Sequence, residues 1–332
     1  MDKIKIGIVG TGHLGKFHIK MLKQIENCEL VGVFDTNPNT AKAAGDEFKV
    51  KTFETLDELL GEIDAVSIAA ITGAHYQLAK HCLGKNLHVF LEKPITAEIP
   101  EAEEIVRIAD EKKLKLQVGH IERFNPALIS LEKYIIQPMF IQTDRLAQFN
   151  TRGTDVAVVL DLMIHDIDII LSLVKSEVKD IQASGVAVVS NTIDIANARI
   201  QFENGCVANV TASRISQKRM RKMRIFQRDN YIALDFIAGV SEVYRLISSD
   251  EKIDTDFISF GEIGTEERKK QVIYEQPVIK EINALKYELE LFINAIINDE
   301  SPLVSGLDGL KALKVAKLIM QRIEESQKII TY

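Results

Sequence analysis

The sequence predicts an α/β protein with an N-terminal doubly wound parallel sheet and a C-terminal α+β domain that contains a large, mainly antiparallel sheet. Three observations lead to this prediction. Apolar strands alternate with helical segments over residues 1–120, a glycine-spaced turn follows the first strand, and long consecutive strands dominate the second half. The 332 residues also exceed what one core usually organises. We therefore expect two domains, residues 1–120 and 121–332.

The first strand runs directly into the turn Gly10-Thr-Gly12-His-Leu-Gly15. We expect Gly10 to allow a tight turn, Gly12 to let the backbone approach a pyrophosphate, and Gly15 to let the next helix pack against the strand. The N–H groups at the start of that helix would face the phosphates. The whole turn, including His13 and Leu14, is therefore predicted to bind a dinucleotide cofactor.

The second strand, Cys28–Phe34, ends in Asp35, about 20 residues beyond Gly15. A carboxylate at this position accepts hydrogen bonds from a ribose diol and repels a 2′-phosphate. The next residues, Thr36-Asn37-Pro38, include no Arg or Lys that could neutralise such a phosphate. The sequence therefore favours NAD over NADP as the cofactor.

The alternation of helices and strands continues after Asp35. Thr55 and Glu58 have the spacing of a helix-capping box, and the apolar run from Ala65 is typical of a strand covered on both faces. The expected elements are a helix over 39–48, a strand over 50–53, a helix from 55, a strand over 65–71, a helix over 75–83, a strand over 87–91, a helix over 99–112 and a strand over 114–118.

After His120 the pattern changes to longer strands, with a hairpin signal at Glu203-Asn204-Gly205. The expected elements are a helix over 127–135, strands over 140–149, 178–189, 193–202, 206–215, 223–227 and 231–235, and helices over 281–298 and 306–325. Helices on one face of such a sheet leave its other face to be covered, often by a partner subunit. We therefore expect a homodimer or a homotetramer.

Composition excludes several classes of protein. The net charge of −7 argues against a nucleic-acid binder, and no apolar run approaches the roughly 20 residues that span a membrane. The sequence begins directly with the first strand, which leaves no room for a signal peptide. Cys28, Cys82 and Cys206 have no metal-site or disulfide spacing. We expect a cytoplasmic protein with reduced thiols and no metal.

Two residues follow strands of the predicted parallel sheet, where ligands bind in such folds. Lys93 follows Glu92 at the end of a central strand, and there a lysine can hydrogen-bond a substrate hydroxyl and, when buried, assist proton transfer. Taken alone, Lys93 is better explained as a solvated loop residue. His75 opens a helix and either lines the nicotinamide side or serves as a capping or packing residue.

A second group of ionisable residues lies on the predicted helix from Asp155 to Val174. At 100° per residue, Asp161, His165 and Asp168 share one face of this helix. A carboxylate one turn from an imidazole can orient it and stabilise its charged form, as a general base requires. A hydrogen-bonded His/Asp pair at a domain interface explains the pattern equally well.

The segment Lys218-Arg-Met-Arg-Lys-Met-Arg224, followed by Arg228, is a basic run in an acidic protein. A solvated strand or loop is the favoured explanation. The alternative is a site that holds an anionic substrate group such as a diphosphate.

With these motifs, the chain resembles the Gfo/Idh/MocA oxidoreductase family over nearly its whole length. The resemblance rests on the glycine turn, Asp35, Glu92-Lys93-Pro94, Arg123-Phe124, and the helix with Asp161, His165 and Asp168. It implies a Rossmann NAD-binding domain and a second domain used for oligomer formation.

The resemblance also implies roles for individual residues. Lys93, Asp161 and His165 would form the catalytic set, with Glu92 near the nicotinamide. Our own hypothesis, apart from the resemblance, is that Arg123 and Asn125, together with Asp168, position a polar substrate.

The implied reaction is hydride transfer between a secondary hydroxyl of a sugar and the nicotinamide. Within the family, the segments 118–126 and 161–166 are most similar to UDP-N-acetylglucosamine 3-dehydrogenases, which implies a nucleotide sugar oxidised at C3. An inositol or free-sugar dehydrogenase and a non-catalytic NAD-binding subunit are the alternatives.

Overall fold

The computed structural model describes residues 3–150, 156–248, 258–265 and 269–328. The chain divides into two compact units. The first comprises Met1–Phe124 and Ile282–Lys314, and the second Asn125–Glu281 and Val315–Tyr332. Among the residues described, no helix combines the length and the apolar character needed to cross a bilayer.

The first unit is built on a parallel sheet of five strands in the order β2-β1-β3-β4-β5. This arrangement confirms the predicted parallel sheet. The order changes direction at β1, so the carboxyl ends of β1 and β3 mark the place where such sheets bind ligands. The elements are β1 (Ile4–Val9), α1 (His13–Leu22), β2 (Cys28–Phe34), α2 (Pro38–Phe48), α3 (Leu56–Leu60), β3 (Ala65–Ile68), α4 (Thr72–Gly84), β4 (His88–Glu92), α5 (Ile99–Glu111), β5 (Leu116–Gly119) and a 3₁₀ turn (Ile121–Phe124).

Two local predictions in this unit have different outcomes. The capping box of Thr55 and Glu58 is confirmed at the start of α3. The strand predicted over 50–53 is wrong, because the segment forms only an isolated parallel bridge between Thr52 and Val33. The segment comes directly after Lys49, the left-handed residue that ends α2. It pairs with the edge strand β2 at one residue only, which is too short for a strand ladder.

The second unit contains a nine-stranded sheet in the order β13-β14-β12-β11-β10-β6-β9-β8-β7. The described pairs are antiparallel apart from β6 with β9, which confirms the predicted mainly antiparallel sheet. The elements are α6 (Pro126–Ile129), β6 (Phe140–Leu146), a π-helix (Val159–Met163), α7 (Ile164–Val174), β7 (Val178–Val186), β8 (Ile195–Phe202), β9 (Val207–Ser213), β10 (Met220–Gln227), β11 (Asn230–Asp235), β12 (Val240–Ile247), β13 (Ile258–Ile263) and β14 (Lys270–Glu275).

Several element predictions in the second unit need correction. The helix predicted over 127–135 is only the single turn α6. It begins after its N-cap Asn125 and ends at Ser130, where the chain enters a turn. The strands β12, β13 and β14 were not predicted. The helix predicted from Asp155 is helical only from about Val158, and Asp155 itself lies outside the described residues.

The chain ends with α8 (Ala284–Ile297) and α9 (Gly306–Gln327), as predicted within a few residues. The predicted domain boundary placed both helices in the second domain, whereas the structure groups residues 282–314 with the first unit. The reason is burial of apolar side chains. Leu289, Phe292 and Ile293 of α8 are fully buried in the same core cluster as residues of β1 and α1.

Candidate active site

The turn after β1 has the geometry predicted for a dinucleotide site. Gly10 has a φ of +93°, and an added Cβ would lie 2.7 Å from the carbonyl oxygen of Ala69. A Cβ at Gly15 would lie 1.9 Å from the carbonyl oxygen of Gly10, so only glycine allows α1 to come this close. At Gly12, no heavy atom of the described chain lies within 4 Å of an added Cβ. The backbone at Gly12 therefore faces open space.

The N-terminus of α1 is suited to an anion. Gly12 is the N-cap, and in this fully described helix no side chain caps the first turn and no acidic residue lies within it. The first backbone N–H groups of a helix have no intrahelical acceptor and carry a partial positive charge. His13 and Leu14 are exposed beside them. The predicted cofactor-binding turn therefore fits the pyrophosphate of a dinucleotide.

Asp35 is fixed next to this turn. Its Oδ2 accepts hydrogen bonds from the backbone N–H of Thr11 at 2.7 Å and from the Thr11 hydroxyl at 3.0 Å. Its Oδ1 accepts from the N–H of Asn37 at 2.9 Å. These bonds orient the carboxylate at the end of β2, and Oδ1, which accepts one of the three, keeps acceptor capacity for a ribose hydroxyl.

A buried network lies behind the end of β4. Nε2 of His18 lies 3.0 Å from Oε1 of Glu92, and Nδ1 of His18 lies 2.8 Å from the hydroxyl of Ser67. Burial would raise the pKa of Glu92, but the hydrogen bond and charge of His18 and the charge of Lys93 together hold that pKa below its ordinary value. Gly119 of β5 leaves room for the side chain, since a Cβ there would lie 3.0 Å from the Glu92 carboxyl group.

Glu92 also contacts the next residue, Lys93. The backbone N–H of Lys93 donates to Oε2 of Glu92 at 3.3 Å, and Lys93 is half-buried at the carboxyl end of β4. The Lys93–Pro94 peptide bond is cis. The network from Ser67 through His18 to Glu92 thus connects α1 and β3 with the position of Lys93.

His75 lies fully buried near the start of α4. Its Nδ1 lies 2.8 Å from the carbonyl oxygen of Pro94, and its Nε2 lies 3.1 Å from that of Ala70. Burial lowers the pKa of His75, although the two carbonyls oppose this effect. The ring therefore connects the segment after β3 to the segment after β4. Its predicted contact with a cofactor stays a prediction.

In the second unit, Asp161 and His165 lie on an irregular helix. Residues Val159–Met163, including Asp161, form a π-helix, and His165 is the second residue of α7. A π-helix has more residues per turn than the α-helix assumed in the sequence analysis, so the predicted angles between these side chains do not apply. Such segments occur frequently at functional sites. Both residues are partly exposed, whereas Asp168 is buried.

The neighbour of His165 has a structural role. Oδ2 of Asp166 accepts from Nε of Arg145 at 3.0 Å, and its Oδ1 accepts from Nη2 at 2.7 Å. Both side chains are almost completely buried. This pair joins α7 to β6.

The residues predicted to position the substrate are engaged within their own units. Nη2 of Arg123 lies 3.8 Å from Oδ1 of Asp308 in the first turn of α9. Asn125 caps α6 by accepting from the N–H of Ala127, and its Nδ2 donates to the carbonyl of Phe236 at 3.0 Å. Contact of Arg123 and Asn125 with substrate therefore stays a prediction.

The contact of His18 with Glu92 was not predicted from the sequence. The spacing of residues in α1 contains a signal that His18 is buried. Gly15, His18, Ile19 and Leu22 are spaced to share one face, and this face is buried in the structure. A histidine on the inward face of a helix needs polar partners.

Comparisons with known proteins support a common class. Residues 4–120 match a family model described as an oxidoreductase family with an NAD-binding Rossmann fold, and residues 138–231 match the GFO/IDH/MocA C-terminal domain. A UDP-N-acetylglucosamine 3-dehydrogenase from Acidithiobacillus ferrooxidans is 34% identical over 98% of both chains. A myo-inositol 2-dehydrogenase from Thermotoga maritima is 23% identical over 98% of both chains.

Solved structures show the same similarity. The UDP-N-acetylglucosamine 3-dehydrogenase from Acidithiobacillus ferrooxidans has a TM-score of 0.87 at 34% identity, covering 98% of this chain and 99% of that chain. A scyllo-inositol dehydrogenase from Lactobacillus casei with bound NAD(H) and scyllo-inositol has a TM-score of 0.73 at 23% identity, covering 98% of both chains, and shares the fold.

The parallel sheet with its glycine turn, joined to a broad antiparallel sheet, defines a nicotinamide-dependent oxidoreductase of two units. The chain belongs to the Gfo/Idh/MocA oxidoreductase family, as the resemblance predicted. It is accordingly a dehydrogenase that acts on CH–OH groups with a nicotinamide cofactor.

Proposed function

We propose that this protein is an NAD-dependent dehydrogenase that oxidises the C3 hydroxyl of UDP-N-acetylglucosamine. The observation that carries the proposal is the match, over 98% of both chains at 34% identity, to a UDP-N-acetylglucosamine 3-dehydrogenase. The corresponding structure has a TM-score of 0.87, higher than the 0.73 of the scyllo-inositol dehydrogenase.

The proposed catalytic set is Lys93, Asp161 and His165. His165 takes the proton of the substrate hydroxyl, Lys93 donates a hydrogen bond to the same oxygen, and Asp161 orients the imidazole. As the O–H and C3–H bonds break, the carbon–oxygen bond becomes a carbonyl. The turn of Gly10, Gly12 and Gly15 together with Asp35 would hold the dinucleotide, which would supply the acceptor for the hydride that leaves C3. The Glu92 carboxylate accepts from the backbone N–H of Lys93 and so helps to fix the main chain at this residue.

The preference for NAD over NADP rests on Asp35. Its carboxylate is held in place by Thr11 and Asn37 and is negatively charged, so it favours a ribose diol and repels a 2′-phosphate. Asn37 is also the N-cap of α2, and its side chain accepts from the N–H groups of Asn39 and Thr40. This leaves the Asn37 amide oxygen engaged with the helix.

A substrate panel tests the proposed function. The purified protein is mixed with NAD or NADP and with UDP-N-acetylglucosamine, UDP-glucose, myo-inositol or glucose, and NADH or NADPH formation is followed by absorbance. We expect the highest kcat/KM for NAD with UDP-N-acetylglucosamine. A higher kcat/KM for myo-inositol or glucose supports the alternative dehydrogenases, and NAD binding without turnover of any substrate supports the non-catalytic subunit.

We also propose that the protein is a homodimer or homotetramer that associates through one face of the nine-stranded sheet. An aromatic ladder crosses this face, in which each ring contacts the next at centroid distances of 4.9 to 6.1 Å. Its members are Phe140, Phe226, Tyr231, Tyr244, Tyr274 and Phe260. Phe226 and Phe260 are exposed and the other four rings are partly exposed, and contiguous aromatic surface of this kind is typical of protein interfaces.

Light scattering tests the oligomer. We expect a mass two or four times that of one chain, and a smaller mass for Phe226→Arg, since a charge in the ladder opposes burial. Leu303→Arg is the matched control, because Leu303 is exposed but lies in the first unit. A monomeric unaltered protein, or equal masses for both variants, contradicts the proposed interface.

The cytoplasm is the proposed location, and the state of the cysteines supports it. Cys28, Cys82 and Cys206 are all buried and free. Burial raises the pKa of Cys28 and Cys82 to about 12 and that of Cys206 to about 11, so the thiols are unreactive near neutral pH.

A further inference from the structure

A cavity of about 580 Å³ opens in the second unit, next to the π-helix. Its wall includes Asp161 together with Arg214, Arg219 and Arg221. Ligand sites in proteins typically measure about 300 to 1,000 Å³, so the cavity is large enough for a small organic molecule. Asp161 belongs to the proposed catalytic set, which brings the cavity next to the proposed chemistry.

The alternation of side chains along β10 divides the basic run into two groups. Met223 and Ile225 are fully buried, so Arg221 projects from the same face of the sheet, at the end of the strand where the cavity lies. Lys222 and Arg224 project from the opposite face, and Nζ of Lys222 lies 3.5 Å from Oδ2 of Asp235. The basic run is therefore not one uniformly solvated surface.

The charge of the cavity wall is positive. Three guanidinium groups face one carboxylate, in a chain whose net charge is −7. Arg214 is buried, and its Nε lies 3.8 Å from Oδ1 of the buried Asp194, which offsets part of its charge. Arg219 and Arg221 are exposed. A concave surface with this excess of positive charge concentrates anions.

The cavity also has an apolar part. Phe236 and Ile237 contribute to its wall, and Ile237 is more than half exposed. A ligand that fits both parts carries a dianionic group for the arginines and a ring system for the apolar wall. Guanidinium groups bind phosphate oxygens through paired, charge-assisted hydrogen bonds.

We propose that this cavity binds the diphosphate of a nucleotide-sugar substrate, with Arg219 and Arg221 as the side chains that hydrogen-bond the phosphate oxygens. The choice of ligand rests on the proposed function. The arginines then act as specificity-determining residues, because inositols and free hexoses have no phosphate group that the arginines could bind. The cofactor also contains a pyrophosphate. The test therefore compares the binding of UDP with the binding of NAD.

Titration calorimetry with UDP, uridine and NAD tests this assignment. The variants are Arg219→Gln, Arg221→Gln and their combination, and Arg228→Gln is the matched control from the same basic run, in the turn between β10 and β11. We expect each single variant to raise the Kd for UDP about tenfold or more. The Kd values for uridine and NAD should not change, and Arg228→Gln should match the unaltered protein.

Three results overturn the assignment: the combined variant binds UDP as tightly as the unaltered protein, its affinity for NAD falls as much as that for UDP, or Arg228→Gln weakens UDP binding equally. Both substituted arginines are exposed, so the fold should persist, and the ratio of the UDP and uridine affinities within each variant corrects for any loss of folded protein.

Kinetics separate this inference from the proposed function. Oxidation of UDP-N-acetylglucosamine with an unchanged KM in the combined variant leaves the function standing and contradicts the subsite. Arginine-dependent UDP binding without oxidation of UDP-N-acetylglucosamine supports the subsite and contradicts the proposed sugar.

Discussion

Nε2 of His18 lies 3.0 Å from Oε1 of Glu92, and the pair is buried between α1 and β4. An ionised carboxylate only accepts hydrogen bonds, so Nε2 of His18 donates; in the neutral ring, Nδ1 then accepts from the hydroxyl of Ser67. We interpret His18 as a positioning residue, because it holds Glu92 in the orientation that contacts the backbone of Lys93.

The His18 network predicts a change in the pH dependence of turnover. In His18→Leu, Glu92 loses the side-chain hydrogen bond that lowers its pKa, so burial raises that pKa. If turnover needs ionised Glu92, the acid limb of the kcat/KM profile moves to higher pH. His18→Gln retains one donor and one acceptor and should restore the profile. An unchanged profile in His18→Leu, with folded protein, contradicts the positioning role.

The position of Asp35 predicts a change in cofactor preference. Asp35→Ser removes the carboxylate that favours a ribose diol and repels a 2′-phosphate, so the ratio of kcat/KM for NAD to that for NADP should fall about tenfold or more. Asp46→Ser makes the same charge change at an exposed position of α2 and serves as the control. A ratio that stays the same in Asp35→Ser argues against this role.

The ion pair of Arg145 and Asp166 predicts a large effect on stability. Arg145→Met leaves a buried carboxylate without its partner and should lower the free energy of unfolding by about 3 to 5 kcal/mol. Denaturant titration measures the change. Adding Asp166→Leu to Arg145→Met should recover part of the loss, because no uncompensated charge then remains buried.

A control for this pair is Arg107→Met, which disrupts the exposed pair of Arg107 and Glu111 on α5 and should change stability little. Equal losses from Arg107→Met and Arg145→Met contradict the structural importance of the buried pair.

From the lowered pKa of Asp194, we predict that the folded protein loses stability in acid. Burial would raise the pKa of this fully buried carboxyl, but the Ser190 hydroxyl and the backbone N–H groups of Val188, Val189 and Ser190 outweigh it and lower the pKa. The stabilisation is therefore complete above the unfolded-state pKa of about 3.9 and decreases as pH falls below it.

The variant Asp194→Asn tests this dependence. It should be less stable than the unaltered protein at pH 7 by about 2 kcal/mol or more. The asparagine side chain lacks the negative charge, and its amide nitrogen cannot accept the hydrogen bonds that the cluster of donors offers. The difference should shrink at pH values below about 4, as measured by denaturant titration at several pH values. A difference that is the same at neutral and acidic pH contradicts this explanation.

Local sequence signals predicted most of the first unit. The turn at Gly10 and Gly15 and the position of Asp35 depend on residues close together in the chain, and the structure confirms the steric need for glycine at both positions. The prediction of a strand over 50–53 was wrong because the apolar residues of this segment pack into the core although the segment forms no strand ladder. Phe53, for example, packs against Gly32.

Pairing over long sequence distances was not predictable in the same way. His18 and Glu92 are 74 residues apart, and no local pattern relates them. The strand β12 was missed because its inward positions include Ser241 and Arg245 as well as valine, which weakens the hydrophobic alternation. Every residue of β13 is exposed, so that strand has no buried face to give a signal.

The helix that carries Asp161 and His165 is irregular. Regular periodicity assigned Asp161 and His165 to one α-helical face, but Asp161 lies in a π-helix. Val159 and Met163, at the two ends of the π-helix, are both fully buried. The candidate residues could therefore be named from the sequence, while their arrangement could not.

The most direct test of the central claim uses UDP-N-acetylglucosamine labelled with deuterium at C3. The protein is incubated with this substrate and NAD, and the NADH formed is analysed by mass spectrometry. We predict deuterium in the NADH, and strongly reduced NADH formation in Lys93→Met and in His165→Ala, with NAD binding unchanged. Unlabelled NADH, or turnover in either variant equal to that of the unaltered protein, would contradict the account.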